Sequence, residues 1–293
     1  MSETPRITQA MIDLYDDYTH ISLDRRAYLQ KLTALVGSSA TALAVTAMIE
    51  ADKAVAQIVP PGDPRLIEER VRYEGDGGEM RGYLVKPAKA AGPLPCVIVI
   101  HENRGLVPHI EDVARRLALE NFLVLAPDFL TPDGGTPPDE DKARSMIAAL
   151  DPARTVRNAQ ASVRFLKTRA DGNGKVGATG FCWGGRQTNL LAVAAGPELL
   201  AAVPYYGAQP PLADVPRIKA HMVLHYAAHD EAINKGIDAY KDALDKAGVR
   251  YELFIYEGTQ HAFNNDTSLA RYNKEAADLA WSRTIGVFNA RLR

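Results

Sequence analysis

The chain predicts an α/β protein in which a mainly parallel sheet is flanked by helices and preceded by an N-terminal helical extension. Two observations carry this. From residue 65 onward, short apolar runs alternate with helix-length amphipathic segments, the pattern of strand–helix crossover units. Before residue 58 only helical spacing is found, and Val59, Pro60, Pro61, Gly62, Asp63 and Pro64 form a breaker cluster between the two parts. The organisation expected is a helical extension over residues 1–58 and a main domain over 65–293.

In chain order, residues 6–19 repeat apolar side chains at helical spacing, and one further helix is expected over 24–50, with Tyr28, Leu32, Leu35 and Val36 along one side. The Arg25-Arg26 pair resembles a twin-arginine export signal, with Ala54-Val55-Ala56 as its candidate cleavage site. The preferred reading is a retained helix, vestigial as a signal, in a cytoplasmic protein; periplasmic export is the alternative. Residues 69–73 and 80–85 alternate like a hairpin around Gly75-Asp76-Gly77-Gly78. The continuous apolar run 96–100 reads as a strand buried on both faces. Helix 109–120, strand 122–126, a Pro/Gly-rich loop over 127–138 and helices 139–149 and 152–169 follow. Strand 175–179 runs into helix 184–195, strands 201–205 and 222–226 precede helix 233–247, and strand 251–256 precedes a closing helix near 268–291.

Composition excludes several functions. With 46% hydrophobic and 24% charged residues, the chain can bury one large core. A net charge of −2 supplies no field for nucleic acid, and no run of apolar residues is long enough to span a membrane. Two cysteines, Cys96 and Cys182, do not make a disulfide framework. His221, His225 and His229 recur every four residues and suggest a metal site. On a strand rising about 3.3 Å per residue, however, they spread over more than ~20 Å. No metal or cofactor is expected, and the protein should act as a monomer or homodimer.

The sharpest motif is Gly180-Phe181-Cys182-Trp183-Gly184-Gly185, between an expected strand and an expected helix. That is the setting of a nucleophile elbow, where glycines on either side let strand and helix approach. The helix N-terminus favours the thiolate of Cys182. Cys96 opens an apolar strand and reads as packing. Downstream, Asp230 follows strand 222–226 and His261 follows strand 251–256, giving nucleophile, acid and base in order at successive strand ends. Here His261 would act as base, Asp230 would orient it, and the Trp183 amide would supply one oxyanion donor. Trp183, Tyr205, Tyr206 and Phe263 flank this site, and loop 129–139 either caps it or merely connects elements.

The loop after strand 96–100 reads His101-Glu102-Asn103-Arg104-Gly105. Together with the cysteine elbow and the later Asp and His loops, it resembles the dienelactone hydrolase family, carboxymethylenebutenolidase-like members of the α/β-hydrolase superfamily, over roughly residues 65–293. The resemblance implies an α/β-hydrolase fold and a cysteine hydrolase cleaving a small ester or enol-lactone through a thioester. It implies that Glu102 helps generate the thiolate, that Asn103 gives the second oxyanion amide, and that Cys182, Asp230 and His261 form the triad. The family's carboxylate-binding arginine, four residues after the histidine, is Asn265 here; Arg104, Arg186 or Arg271 could supply the charge instead. A thiol redox enzyme or sensor and a non-catalytic binding module stand as alternatives.

Overall fold

A computed structural model describes residues 6–19, 23–50 and 57–293. Three helices precede the first strand: α1 (Gln9–Thr19), α2 (Arg25–Val36) and α3 (Ser39–Ile49). The single helix expected over 24–50 is therefore two, and the reason is local. Gly37 ends α2 at φ 82° and Ser38 caps α3, its hydroxyl accepting from the Thr41 N–H, so the axis turns through 110°. Tyr15, Tyr28, Leu32, Val45 and Ile49 are wholly buried between the three helices, and the Tyr18 and Tyr28 rings stack at 4.7 Å. Neither helix is long and apolar enough to cross a membrane, nor is any other single helix among the described residues. The cleavage-site candidate at 54–56 lies outside the described residues.

The sheet has eight strands in the order β1 (Leu66–Gly75), β2 (Gly78–Pro87), β4 (Leu123–Asp128), β3 (Leu94–Ile100), β5 (Gly172–Phe181), β6 (Ala201–Tyr205), β7 (His221–His229) and β8 (Tyr251–Gln260). β2 runs antiparallel to both its neighbours, and every pairing from β4 to β8 is parallel. The helices are α4 (Pro108–Leu119), α5 (Glu140–Ala149), α6 (Pro152–Lys167), α7 (Trp183–Ala195), α8 (Glu231–Asn234), α9 (Ile237–Ala247) and α10 (Lys274–Leu292).

β3 explains the two-sided core. All seven of its residues are buried. Cys96, Ile98 and Ile100 face a layer built with α6, α7 and α9, while Val97 and Val99 face a second layer built with α4 and α10. The helix expected over 233–247 is interrupted at Lys235-Gly236, where Gly236 lies so close to Gln209 that a Cβ would meet its Oε1 at 2.3 Å. The last helix starts only at Lys274, capped by Asn273, because residues 262–273 form turns behind β8. These lengths and breaks set the strand ends side by side.

Candidate active site

The turn between β5 and α7 is strained. Cys182 has φ 57° and ψ −115°, a conformation that side chains avoid, and its N–H is held by the Tyr205 carbonyl at 3.1 Å. The crossing is so tight that a Cβ on Gly180 would lie 2.3 Å from the Gly184 carbonyl oxygen, and one on Gly184 would lie 2.3 Å from that of Ile100. Trp183 opens α7, so its amide is among those the helix cannot satisfy internally. Cys182 is half-buried at this helix N-terminus. Among the described non-glycine residues with positive φ, three of four (Cys182, Tyr206 and Ala262) lie just past the ends of β5, β6 and β8.

The ends of β7 and β8 supply an acid and a base. His229 and Gln260 are register partners, and the extra residues of β8 are absorbed at an irregularity containing Gly258 at φ 66°. Asp230 and His261, one residue further on, therefore meet, with His261 Nδ1 donating to Asp230 Oδ2 at 2.6 Å. That leaves Nε2 for the hydrogen bond to the Cys182 side chain. Burial works against the imidazolium, but the Asp230 carboxylate, the Cys182 sulfur and the bonds to both outweigh it and hold His261 well above its usual value. The Tyr206 ring packs against His261 at 4.7 Å, and its hydroxyl donates to Asn264. Burial first, then the charges of Glu102 and Cys182, push the Tyr206 phenol far up, so it stays neutral.

The loop after β3 completes the centre. His101 is buried, accepts the Phe129 N–H on Nε2 at 3.3 Å and donates from Nδ1 to the Glu102 carbonyl at 2.6 Å. Its ring stacks on Trp183 at 5.3 Å. Burial pulls its pKa down, which fits a neutral structural imidazole tying this loop to the elbow. Glu102 is buried and accepts from Asn265 Nδ2 at 3.2 Å. Cys182, Trp183 and Asn103 line a cavity of about 500 Å³ with Tyr206, Arg186 and Leu190. Its outer wall comes from the α5–α6 region through Ile147, Leu150 and Pro152, and from Thr19 of the extension.

A half-buried nucleophile-type side chain, a histidine, a carboxylate and a lined cavity are together the working parts of acyl transfer. A family model described as the dienelactone hydrolase family matches residues 80–292. The chain belongs to that family. It is 30% identical over 246 residues to a candidate carboxymethylenebutenolidase of Escherichia coli strain K12, covering 79% of this chain and 90% of that one. Among solved structures it resembles a candidate dienelactone hydrolase from Klebsiella pneumoniae, with TM-score 0.70, 29% identity and coverage of 76% and 98%. It also resembles a dienelactone hydrolase-like promiscuous phosphotriesterase from metagenomic libraries, with TM-score 0.71, 26% identity and coverage of 78% and 100%. The eight-stranded sheet is thus that of an α/β-hydrolase, and the family is one of ester and lactone hydrolases acting on small molecules.

Within this member of the family, Cys182, Asp230, His261, Glu102, Asn103 and Trp183 gather at one end of the sheet. Arg104 does not join them on the cavity wall: it is buried and donates to the Tyr15 hydroxyl at 2.6 Å, with Glu140 at 3.1 Å. Arg271 likewise turns to Asp16 at 3.0 Å, so of the three arginines only Arg186 reaches the cavity. Tyr205 and Phe263 pack in the core, and loop 129–139 is tied down by Asp128, whose carboxylate accepts from the Thr136 amide and hydroxyl. His225 is a buried core residue whose pKa is lowered to about 3 by burial and by Arg283, and no metal-binding group is found among the described residues. The sequence reading missed Asn265 as the partner of Glu102, Tyr206 as the cover of His261, and the walls from Thr19 and α5–α6. A hint for Tyr206 existed in the following Gly207, whose Cα side abuts the Gly185 backbone at 2.2 Å for an added Cβ.

Proposed function

We propose that the chain hydrolyses a small ester or enol-lactone through a thioester on Cys182. The observation that carries this reading is the His261 pair: Nδ1 committed to Asp230 at 2.6 Å, and the ring raised in pKa beside the Cys182 sulfur. The thiolate attacks the carbonyl carbon, and the oxyanion is met by the Trp183 and Asn103 amides. His261, as imidazolium, gives its proton to the departing alkoxide or enolate as the C–O bond breaks. Neutral His261 then takes a proton from water, whose oxygen attacks the thioester and expels the Cys182 thiolate. Asp230 keeps the imidazole oriented throughout. Glu102, held by Asn265, assists formation of the thiolate when substrate arrives. Arg186 is the cavity cation available to a negatively charged substrate.

The test is p-nitrophenyl acetate turnover with iodoacetamide, Cys182→Ala and Cys182→Ser, followed by a panel of cis- and trans-dienelactones against simple acyl esters. Iodoacetamide and Cys182→Ala should abolish turnover, and full activity in Cys182→Ala would sink the reading. A redox role with Cys96 is disfavoured: Cys96 pairs with Val176, and Cys182 lies six residues further along β5, roughly 20 Å away at about 3.3 Å per residue. We propose further that the enzyme works in the cytoplasm with its helical extension attached, where the thiol stays reduced. Arg25 of the twin-arginine pair is engaged with Asp141 of α5, which supports this. Cell fractionation with intact-mass measurement checks it, and a shortened periplasmic form would refute it.

A further inference from the structure

Four arginines of the main domain are buried among the described residues, and three of them take a partner from α1. Arg104 donates to the Tyr15 hydroxyl at 2.6 Å. Arg271 pairs with Asp16 at 3.0 Å and lies over the Tyr15 ring at 5.1 Å. Arg144 donates to the Tyr18 hydroxyl at 2.6 Å and lies over that ring at 4.7 Å. The last residue of α1, Thr19, has a carbonyl that no further helical turn can satisfy, and Asn103 Nδ2 donates to it at 2.5 Å. The end of α3 is fastened in the same way, with Ser268 Oγ donating to the Ile49 carbonyl at 2.9 Å.

The chemistry of these contacts separates two roles. A helix docked through exposed ion pairs could leave at little consequence, because such pairs contribute little. Here the charges on the domain side are buried, so removing α1 would take the Asp16 carboxylate from Arg271 and the tyrosine hydroxyls from Arg104 and Arg144, leaving those two only Glu140 and Asp141. Two of the residues bound to α1, Asn103 and Arg104, are neighbours of Glu102 on the loop after β3. Arg104 keeps its charge despite burial because Tyr15, Glu140 and Glu102 surround it. Thr19 itself is part of the cavity wall, facing the same space as Cys182, Trp183 and Asn103.

We infer that α1 is a positioning element of the active site: Tyr15 and the Thr19 carbonyl hold loop 102–105 in register with the elbow, Asp16 holds the turns after His261 through Arg271, and Thr19 closes one side of the acyl cavity. The inference rests on the reading of that cavity as the reaction site. A helix upstream of the export-like Arg25-Arg26 pair is thereby a working part of the enzyme. Its side chains touch no reacting atom; they act through Asn103, Arg104 and Arg271.

The test uses the full chain with Tyr15→Phe, Asp16→Asn and Asn103→Leu, each assayed on p-nitrophenyl acetate well below its unfolding midpoint. Positioning lowers kcat about tenfold while KM moves less than about twofold, because the loop contributes mainly in the transition state. Asp16→Glu restores most of the loss seen in Asp16→Asn. Asn103→Leu keeps the backbone amide and removes the side-chain bond to Thr19 while altering one side chain of the cavity wall, so a lower kcat at unchanged KM decides the matter if an α1 variant does not fold. Parental kcat in Asn103→Leu, or kcat unchanged in folded Tyr15→Phe and Asp16→Asn, overturns the inference. Cys182→Ala is measured alongside. Full turnover there defeats the thioester reading itself, whereas an inactive Cys182→Ala with parental α1 variants defeats only the role of α1.

Discussion

One cysteine lies within β3 and the other just past the end of its paired strand β5, and their surroundings have little in common. Cys96 is completely buried within β3, its sulfur within 3.5 Å of the Leu94 carbonyl oxygen and packed so close to Gly172 that an added Cβ would meet it at 2.7 Å. Burial pushes its thiol up to about 12, so it stays protonated. Cys182 sits just past the end of β5, at positive φ, on a cavity wall beside a histidine of raised pKa. Position decides between them. Strand interiors bury a thiol and silence it, whereas a strained turn at a strand end exposes it to a helix N-terminus and to groups from neighbouring strands.

The contrast can be broken most forcefully at the nucleophile. Cys182→Ala should lose at least ~10³-fold in kcat/KM while its melting temperature stays near the parent. Cys96→Ala should do the reverse, and steady-state kinetics paired with calorimetry reads both. Asp230→Asn follows, with about 10²- to 10³-fold lower kcat through a misoriented imidazole. Gly184→Ala attacks the elbow rather than its chemistry. With a Cβ directed 2.3 Å from the Ile100 carbonyl oxygen, backbone must move, and denaturant unfolding should show a loss of about 3 kcal/mol. Cys96→Ala should cost only about 1 kcal/mol, a small cavity in a packed layer.

The smallest effect is a dependence on pH. His261 has a folded-state pKa above its unfolded one, so its charged form stabilises the fold fully below the unfolded value of about 6.5. That contribution fades as pH rises through the raised folded value. The melting-temperature gap between the parent and Asp230→Asn should therefore be widest near pH 6 and narrow in alkali; a gap that widens with pH would contradict the pairing.

Local chemistry was legible in the sequence, and long-range packing was not. The elbow glycines, the loop residues Glu102 and Asn103, and the order of Asp230 and His261 each follow from short motifs at strand ends. The Gly37-Ser38 break was readable too, as a helix stop followed by a cap, but the apolar spacing that runs across it masked the signal. Arg104 and Arg271 could not be assigned from sequence because their partners, Tyr15 and Asp16, lie in a separate helical segment. Asn265 illustrates the same limit: its amide, standing where the family has an arginine, is spent on Glu102 from another strand end.

Strand order also governs when the enzyme becomes an enzyme. The elbow belongs to β5 in the middle of the sheet, but Asp230 and His261 follow β7 and β8, and β8 is the margin. A refolding or newly made chain can complete the central strands, with Trp183 stacked on His101, before the base has anything to lean on. Turnover thus requires the marginal strand as well as the central sheet, a stricter gauge of the native state than helix content.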